Sequence, residues 1–531
     1  MCGIVGFCDR NGRRTADVLR QSLEGVVSSI SHRGPDSAGY WIDESVGLAL
    51  GHRRLSIMDV SQAGQQPMMS QCGKYIITFN GEVYNYRIIR NKIDREQGGY
   101  PWRGTSDTEV ILTAISIYGL VNAVKEFVGM FAFALWDRLD KVLYLIRDRI
   151  GEKPLYYGFS AGVFMFGSEL KPLRVHPAWR GEIDRDVLGL YFRNNYVPAP
   201  YSIYKNIFKL PPGTFIKINI QNMSSGLLPE PIKYWSLLEA AQYGINHPFS
   251  GTDEDAISEL DKYLKASISG QMISDMPLGA FLSGGVDSSA VVSLMQSQST
   301  KPIRTFTIGF QDVAYNEATY ANAVAKHIGT AHTELCVTPE VCMSIIPELP
   351  VLYDEPFADS SQIPTHLVCK LARQNVAVCL SGDGGDEVFL GYNRHIQLAR
   401  LQRVFKVMPL PVRQLIAAGL NNLPSSFIEL ILRGKKFGIL ADQVQKIASI
   451  IDREDPADMY QLLTQFWEYP SEIVLGSHEK QTLLTDKSLW PDFANYLHSI
   501  MYVEQMTSLP DDMLVKVDRA AMGVGLETRV P

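Results

Sequence analysis

Cys2 directly follows the initiator methionine, in a chain that begins Met-Cys-Gly-Ile-Val-Gly-Phe. If an aminopeptidase removes Met1, Cys2 carries both a thiol and a free α-amine. A terminal amine titrates near about 7.7–8.0, so it can accept the thiol proton, directly or through a water, without a catalytic histidine. The alternative is a small buried cysteine at the start of a strand over residues 4–7. The position of Cys2 therefore predicts a nucleophile whose own amine is its base.

Polar residues that could serve such a nucleophile follow in four clusters, at residues 33–37, 51–57, 80–86 and 105–109. A thiolate that attacks a carboxamide needs donors for the developing oxyanion, which the Asn80 side chain and the Gly81 N–H could supply. Arg54 could bind the carboxylate of a free amino acid, and Glu82 with Asp107 could bind its ammonium group. The clusters also allow structural roles: Asn80-Gly81 is typical of a hairpin turn, and the fourth cluster could merely cap a helix.

Two acidic, glycine-rich turns follow apolar strands in the second half of the chain. The first is Ser-Gly-Gly-Val-Asp-Ser-Ser at 283–289, and the second is Ser-Gly-Asp-Gly-Gly-Asp-Glu at 381–387. Glycines let the backbone approach a polyphosphate closely, and a helix N-terminus offers N–H groups and serine hydroxyls to an anion. Asp287 fits beside phosphate only if Mg²⁺ lies between them. Together the turns predict a metal–pyrophosphate site, although a capped glycine turn explains the first one equally well.

The composition limits the class of protein. The 531 residues allow two or more domains, and 46% hydrophobic with 20% charged residues is typical of a soluble globular chain. A net charge of −7 without a Lys/Arg block speaks against a nucleic-acid partner. The seven cysteines include no Cys-x-x-Cys pair, so they predict neither disulfides nor zinc but a reducing cytoplasm. No signal peptide is recognisable, and the longest apolar run, 127–136, is shorter than the about 18 residues of a membrane span.

The secondary structure predicted to position these residues differs between the two halves of the chain. Before residue 215 we predict strands at 75–79, 130–136 and 142–146 and helices at 16–30 and 108–117, which together indicate layered sheets flanked by helices. Leu-Pro-Pro-Gly at 210–213 and the polar segment 221–231 mark a transition. Beyond Trp235 we predict helices at 253–270 and after the first turn, alternating with strands at 304–308 and 376–380. This alternation predicts an open parallel α/β sheet.

The order of the first clusters resembles the class II glutamine amidotransferases, which are N-terminal-nucleophile glutaminases with a four-layer α/β/β/α sandwich. The resemblance extends through Gly-Glu-Lys-Pro-Leu-Tyr-Tyr at 151–157 and Gly-Ser-Glu-Leu-Lys at 167–171. It implies that Cys2 attacks the glutamine amide and that Asn80 and Gly81 form the oxyanion hole. It further implies that glutamine binds to Arg54, Leu55, Ser56, Ile57, Met58, Asn80, Gly81, Glu82 and Asp107.

The turn at 283–289 differs from a Walker motif and lacks its lysine. It resembles the pyrophosphate loop of the ATP pyrophosphatases, which cleave ATP to AMP and pyrophosphate. In that resemblance Asp287 and Asp386 serve Mg²⁺ and the pyrophosphate. The resemblance implies that ATP binds to Leu282, Ser283, Gly284, Gly285, Asp287, Ser288, Ile308, Ser381 and Gly382.

A class II glutaminase joined to such a half resembles the glutamine-hydrolysing asparagine synthetases over essentially the whole chain. The resemblance implies a glutaminase domain at 2–215, a linker at 216–235 and an ATP-pyrophosphatase domain at 236–531, in a cytoplasmic homodimer. Aspartate would attack the α-phosphate of ATP, giving a β-aspartyl adenylate and pyrophosphate. Ammonia from glutamine would then cross an internal tunnel and displace AMP. The separation keeps ammonia unprotonated and shields the adenylate from water.

The sequence departs from the family pattern at two places. Asp383 stands where some members carry glutamate, at a position tied to forming the acyl-adenylate, so the catalytic carboxylate is retained with one methylene less reach. Family members also continue beyond Arg-Val-Pro into helices that include a lysine facing the ATP phosphates, whereas the sequence stops at Pro531. This predicts a truncated chain whose phosphate site is less well neutralised.

Two other functions are compatible with the same residues. One retains the machinery but amidates another carboxylate, such as a sugar uronate in surface-polysaccharide synthesis; adenylation assays with aspartate and with nucleotide-sugar uronates would separate the two. The other is a synthetase half that binds ATP without catalysis. The predicted truncation favours this second function, whereas the two intact glycine-rich turns speak against it. A variant like β-lactam synthetase is disfavoured, because such proteins dispense with the glutaminase cysteine.

Overall fold

The structure is a computed structural model that describes residues 2–10, 15–223, 226–311, 316–405, 407–421 and 448–531. Met1, whose removal the Cys2 hypothesis requires, lies outside the described residues, as do residues 224–225 of the predicted polar segment. The chain divides into two compact units. The first comprises Met1–Asp184, Tyr196–Gly384 and Leu509–Pro531, and the second comprises Arg185–Asn195 and Gly385–Ser508.

The strands of the described chain all belong to the first unit, and several match the predicted ones closely. In chain order they are β1 (Gly3–Cys8), β2 (Ser37–Asp43), β3 (Leu48–Arg54), β4 (Met68–Met69), β5 (Tyr75–Val83), β6 (Gly129–Asp137), β7 (Val142–Arg147), β8 (Tyr156–Ser160), β9 (Val163–Gly167), β10 (Ile207–Lys209), β11 (Thr214–Asn219), β12 (Ile232–Lys233), β13 (Leu278–Phe281), β14 (Arg304–Phe310), β15 (Ala331–Val337), β16 (Val378–Leu380) and β17 (Glu527–Arg529).

The helices are distributed over both units. In chain order they are α1 (Ala16–Ser28), α2 (Tyr86–Gln97), α3 (Asp107–Tyr118), α4 (Leu120–Glu126), α5 (Leu170–Val175), α6 (Arg185–Asn194), α7 (Leu237–Asn246), α8 (Asp253–Gln271), α9 (Val286–Ser297), α10 (Ala318–Ile328), α11 (Pro339–Ile345), α12 (Leu349–Tyr353), α13 (Gln362–Arg373), α14 (Gly385–Phe389), α15 (Asn393–Phe405), α16 (Leu410–Asn421), α17 (Pro456–Thr464), α18 (Tyr496–Met506) and α19 (Leu514–Met522).

Two six-stranded antiparallel sheets form the amino-terminal half of the first unit. Their strand orders are β10-β8-β9-β1-β3-β2 and β12-β11-β7-β6-β5-β4. Alternate residues of β5 face opposite ways: Ile76 packs with Trp136 in the core between the sheets, whereas Ile77 and Phe79 pack with Val110 beneath helices α2 and α3. Helix α1 covers the other sheet at β2 and β3. The predicted α/β/β/α sandwich is therefore confirmed.

A five-stranded parallel sheet, ordered β15-β14-β13-β16-β17, forms the rest of the first unit, as the alternation of strands and helices predicts. Both of its faces are covered by helices, which explains why β13 (Leu-Gly-Ala-Phe) and β16 (Val-Cys-Leu) read as unbroken apolar runs. Ala280 packs with Val292 of α9 on one face, and Phe306 packs with Cys369 of α13 and Ala520 of α19 on the other. The strand order reverses at β13, with β14 and β15 on one side of it and β16 and β17 on the other, and ligands bind at the carboxyl ends of the strands at such a switch point.

The regular elements of the second unit, within its described residues, are helices, and they include α6 and α14 to α18. The core of this unit contains the fully buried carboxylate of Glu504. Arg394 and Tyr460 donate to this carboxylate at 2.7 and 2.8 Å, and His395 lies 2.9 Å from it. These partners offset the cost of burying the charge.

The predicted domain boundaries can be placed against these elements. Residue 215 lies inside β11, and β12, at 232–233, pairs with β11 in the second antiparallel sheet. The division at 215 and 235 stays a prediction. None of the helices in the described ranges is long and apolar enough to span a membrane.

Candidate active site

Cys2 lies at the amino end of β1, where three other segments reach its backbone and sulfur. Its backbone nitrogen donates to Asn80 Oδ1 at 2.9 Å, and its carbonyl accepts from Arg33 Nε at 3.1 Å. The sulfur lies 3.9 Å from the Leu55 carbonyl oxygen. Burial raises the pKa of the thiol, and the Glu527 carboxylate adds to this effect. The thiol therefore needs a base before it can act as a nucleophile at neutral pH.

Asn80 and Gly81 form no hairpin turn, so the structural alternative for this pair is wrong. Both lie inside β5, paired with Ala132 and Phe131 of β6. Gly81 has a φ of 149°, and an added Cβ would lie 2.0 Å from the Met130 carbonyl oxygen, so only glycine fits there. The Asn80 Nδ2 group is buried and makes no hydrogen bond within the described chain. An unused donor next to a cysteine is what an oxyanion site requires.

Three buried carboxylates lie around this end of β5. Glu82, Asp107 and Glu527 are each at most 8% exposed. Burial raises the pKa of Glu82 well above its usual range, and Asp107 and Glu527 raise it further. Burial likewise raises the pKa of Asp107 to about 6, although its Oδ2 accepts from the Val83 N–H at 2.9 Å. Such a cluster has a deficit of positive charge and suits a cationic ligand.

The residues predicted to hold glutamine from the loop after β3 have two different environments. Arg54 donates through Nη1 to the Ser61 carbonyl at 2.9 Å and through Nη2 to the Asp59 carbonyl. The Ser56 N–H donates to Asp36 Oδ2 at 2.7 Å. Leu55, Ile57 and Met58 instead belong to an apolar cluster with Tyr84, Leu278, Met130, Ala377, Val378 and Met522, which joins this loop to the parallel sheet.

The capping role of the fourth cluster is confirmed. Ser106 is the N-cap of α3, and its hydroxyl accepts from the Glu109 N–H at 3.3 Å. This cap fixes Asp107 as the first residue of the helix, with its carboxylate directed to the backbone of β5. The structural and the functional explanation of this cluster are therefore compatible.

The first glycine turn connects β13 to α9 in a conformation that depends on Gly284. Gly284 has a φ of 84°, and an added Cβ would lie 2.6 Å from the Ala321 nitrogen. Within the turn, Ser283 Oγ and Ser288 Oγ are 3.0 Å apart, and the Gly285 N–H donates to Ser283 Oγ at 3.2 Å. Asp287 lies in the first turn of α9. Hydrogen bonds of its own serine hydroxyls therefore stabilise the conformation of the turn at the N-terminus of α9.

The structure brings the start of the second turn against the first one. An added Cβ at Gly382 would lie 2.7 Å from the Ser288 nitrogen, so the two turns touch through their backbones. Ser381 Oγ donates to Asp383 Oδ2, and the Ser381 N–H donates to the Arg529 carbonyl at 2.9 Å. The first turn and the start of the second therefore lie side by side at the carboxyl ends of β13 and β16.

Leu282 and Ile308, predicted to contact the nucleotide, follow neighbouring strands at this edge. The Leu282 N–H donates to the Phe306 carbonyl at 3.0 Å, which places Leu282 beside β14, the strand that contains Ile308. Asp386 lies on α14 in the second unit, so its partnership with Asp287 stays a prediction. In the described part of the chain, no group of three or more His, Cys, Asp or Glu side chains is arranged as a metal site.

Sequence reasoning gave no individual role to three functional candidates, namely Arg33, which belongs to the first polar cluster, and Glu527 and Arg529, which it did not single out. Arg33 binds the Cys2 carbonyl, and Arg529 lies 3.9 Å from Glu82. All three are at most 1% exposed. The available signal concerned Glu527 and Arg529, which are opposite charges two residues apart near the end of the chain. At that spacing two side chains lie on the same face of a strand.

Two family models match the chain. Residues 1–235 match the glutamine amidotransferase domain, and residues 259–531 match asparagine synthase. The chain belongs to the asparagine synthase family. The resemblance inferred from the motifs is therefore confirmed.

Curated relatives of the family agree with this assignment. The chain is 32% identical over its whole length to asparagine synthetase [glutamine-hydrolyzing] 1 of Bacillus subtilis, of which it covers 79%. It is 37% identical over 77% of its length to putative asparagine synthetase [glutamine-hydrolyzing] 2 of Methanocaldococcus jannaschii, covering 78% of that protein. It is 30% identical over its whole length to a putative asparagine synthetase [glutamine-hydrolyzing] of Mycobacterium bovis, covering 80% of it.

Proposed function

We propose that this chain converts aspartate to asparagine, using ATP and ammonia released from glutamine. The observation that carries the proposal is the arrangement at Cys2. Asn80 accepts from the Cys2 nitrogen and keeps a buried, unused Nδ2 donor. Membership of the asparagine synthase family supports the second half of the reaction.

In the glutaminase half, the free α-amine of Cys2 would take the thiol proton. The thiolate would then attack the glutamine side-chain carbonyl, and Asn80 Nδ2 with the Gly81 N–H would stabilise the oxyanion. The protonated amine would return its proton to the leaving nitrogen, so that ammonia departs and a thioester remains. Water would hydrolyse the thioester to glutamate and restore the thiol.

Glutamine would be recognised through the two oppositely charged groups on its α-carbon, the carboxylate and the ammonium group. Arg54 would bind the α-carboxylate, and Glu82 with Asp107 would bind the α-ammonium group. The raised pKa of Glu82 supports this assignment, because burial and neighbouring carboxylates disfavour its charged form until a cation arrives. Leu55, Ile57 and Met58 would cover the aliphatic part of the substrate.

In the synthetase half, ATP would bind across the two contacting turns. The Gly284 and Gly382 backbones leave no room for a Cβ, and the first turn ends at the N-terminus of α9, where backbone N–H groups can bind an anion. The aspartate side-chain carboxylate would attack the α-phosphate, forming the β-aspartyl adenylate and releasing pyrophosphate. Asp383 would act beside the forming acyl-adenylate.

Mg²⁺ would be held by Asp287 and Asp386 together with phosphate oxygens. The donor set fits, because Mg²⁺ prefers oxygen ligands and is usually bound by one or two carboxylates plus substrate phosphates rather than by a complete protein cage. When bound, the ion would neutralise charge on the pyrophosphate leaving group.

Ammonia would pass from Cys2 to the adenylate through the interior of the protein. We also propose that the protein is a cytoplasmic homodimer. The apolar cluster that contains Ile57, Met130, Val378 and Met522 supports a dry path, because it joins the loop after β3, which contacts the Cys2 sulfur, to the parallel sheet. Neutral ammonia stays unprotonated where water is excluded.

The test is pyrophosphate release from Mg-ATP by the 531-residue chain, supplied with aspartate and ammonia. Release that depends on aspartate and is accompanied by asparagine is the expected result. Ammonia removes the glutaminase half from the question, and glutamate release from glutamine is measured separately. Release with another carboxylate but not with aspartate would contradict the proposed acceptor.

A further inference from the structure

The last strand of the parallel sheet sends two charged side chains into the Cys2 site. Glu527 and Arg529 of β17 are 0% and 1% exposed. They are two residues apart, so they lie on the same face of the strand. Arg529 Nη2 lies 2.6 Å from Glu527 Oε1 and 3.9 Å from Glu82 Oε1. The glutaminase carboxylate cluster therefore includes an ion pair that belongs to the other half of the chain.

Backbone contacts hold Arg529 firmly in this place. Its Nη1 group donates to the carbonyls of Gln271 and Ile273 at 2.5 and 2.7 Å. Its own carbonyl accepts from the Ser381 N–H at 2.9 Å, and β17 pairs with β16 in parallel. A guanidinium fixed by this many partners loses little freedom when it faces a further carboxylate.

The charges around Glu82 show why a fixed cation is needed. Glu82, Asp107 and Glu527 bring three carboxylates into a buried region. Like charges in such a region are costly, and one of them would take up a proton unless an opposite charge lies close by. Arg529 is the guanidinium nearest to Glu82 among the described ion pairs. It offsets part of the negative charge and leaves the remainder for a ligand cation.

We propose that Arg529, oriented by Glu527, is a positioning residue of the glutaminase site that keeps Glu82 in place and makes its ionised form less costly when the α-ammonium group of glutamine arrives. This inference rests on the proposed function and deepens it, because it makes the glutamine site a product of both halves of the chain. Arg529 acts through Glu82 and does not itself contact glutamine. Without it, Glu82 is protonated more readily and its ion pair with the substrate is lost.

The experiment measures glutamine binding by calorimetry in a Cys2→Ala background, so that no hydrolysis occurs. Arg529→Met removes the charge while keeping an unbranched apolar side chain, and we expect glutamine affinity to fall about tenfold or more. Arg529→Lys restores a cation without the planar fork, and we expect partial recovery. Glu527→Gln removes the group that orients Arg529, and weaker binding is again expected.

Thr528→Val is the matched control, because Thr528 lies on the same strand, points to the opposite face and is 4% exposed. It should leave glutamine affinity within about twofold. ATP affinity, measured in the same variants, should not change, since only the side chain at 529 differs and its backbone still accepts from Ser381. If Arg529 had a purely structural role, replacing it would lower the affinities for glutamine and for ATP together.

Three outcomes would overturn the inference in different ways. Unchanged glutamine affinity in a folded Arg529→Met chain would overturn it while leaving the proposed function intact. A Cys2→Ala chain with native Arg529 that binds no glutamine would overturn the proposed function, and the inference would fall with it. If Arg529→Met does not fold, equal affinities for glutamine in Arg529→Lys, Glu527→Gln and the parent chain would overturn the inference.

Discussion

Arg33 and Asp518 form a buried double hydrogen bond between positions 485 residues apart. Arg33 Nη1 donates to Asp518 Oδ2 at 2.8 Å, and Nη2 donates to Oδ1 at 3.0 Å. Arg33 also donates to Glu169 at 2.9 Å and to the Cys2 carbonyl at 3.1 Å. The carboxyl-terminal segment is therefore tied to the cysteine site through one guanidinium.

Removing Arg33 should destabilise the first unit strongly. Arg33→Met leaves Asp518 and Glu169 as buried charges without this partner, and we expect a loss of about 3–5 kcal/mol in the free energy of unfolding. Urea denaturation followed by circular dichroism measures it. Arg20→Met is the matched control, since Arg20 pairs with Glu24 but is 52% exposed, and it should change little. Similar losses in the two variants would contradict the importance of burial.

Glutamine binding should weaken as the pH falls through about 6. Asp107 has a pKa raised to about 6 by burial, so below that pH it carries a proton and cannot pair with the substrate ammonium. The ammonium itself stays charged, which fixes the sign: affinity rises with pH across this window. Calorimetry on the Cys2→Ala chain at a series of pH values measures it. Asp107→Asn should bind more weakly and lose this part of the pH dependence, and a retained midpoint would contradict the assignment.

Cys2→Ala should abolish glutamine-dependent asparagine synthesis and spare synthesis from ammonia. The thiol is the only group at residue 2 that the change removes, and the ammonia reaction bypasses it. The two activities are measured as asparagine formed with glutamine and with ammonia. Cys72→Ala alters an exposed cysteine and should leave both activities intact. Loss of both activities in the Cys2→Ala chain would count against separate sites.

Asn80→Ala should lower kcat for glutamine hydrolysis by about 10²–10³-fold, the usual cost of removing one oxyanion donor. The change also removes the acceptor of the Cys2 nitrogen, whereas Asn80→Asp keeps an acceptor and replaces the Nδ2 donor with a negatively charged oxygen. A loss of kcat in both variants would place the effect at the Nδ2 position and not at the contact with the Cys2 nitrogen. A fully active Asn80→Asp chain would show that Nδ2 stabilises no oxyanion.

Asp383→Asn should reduce aspartate-dependent pyrophosphate release about a hundredfold or more, because the change removes a carboxylate that we place at the acyl-adenylate. Glutamate release by the same variant should be normal. Asp383→Glu should retain activity, since it only lengthens the side chain. A fully active Asp383→Asn chain would exclude a catalytic role for this group.

Several elements can be predicted from the sequence because their signals are local. The apolar runs of β5 and β6 and the serine cap of α3 depend on neighbours within a few residues. The alternation of strands and helices predicts the parallel sheet in the same way. Asn80-Gly81 shows the limit of such reasoning, because its turn propensity is overridden by pairing with β6, a strand that begins at residue 129.

The sequence by itself determined the family, the two kinds of chemistry and the residues expected to carry them, because these depend on residue types at short spacings. Only the tertiary structure decided that Arg529 lies beside Glu82 and that Gly382 contacts Ser288. Those contacts join positions far apart in the chain. Strand order and packing set them, and a local pattern does not specify which distant strand becomes a neighbour.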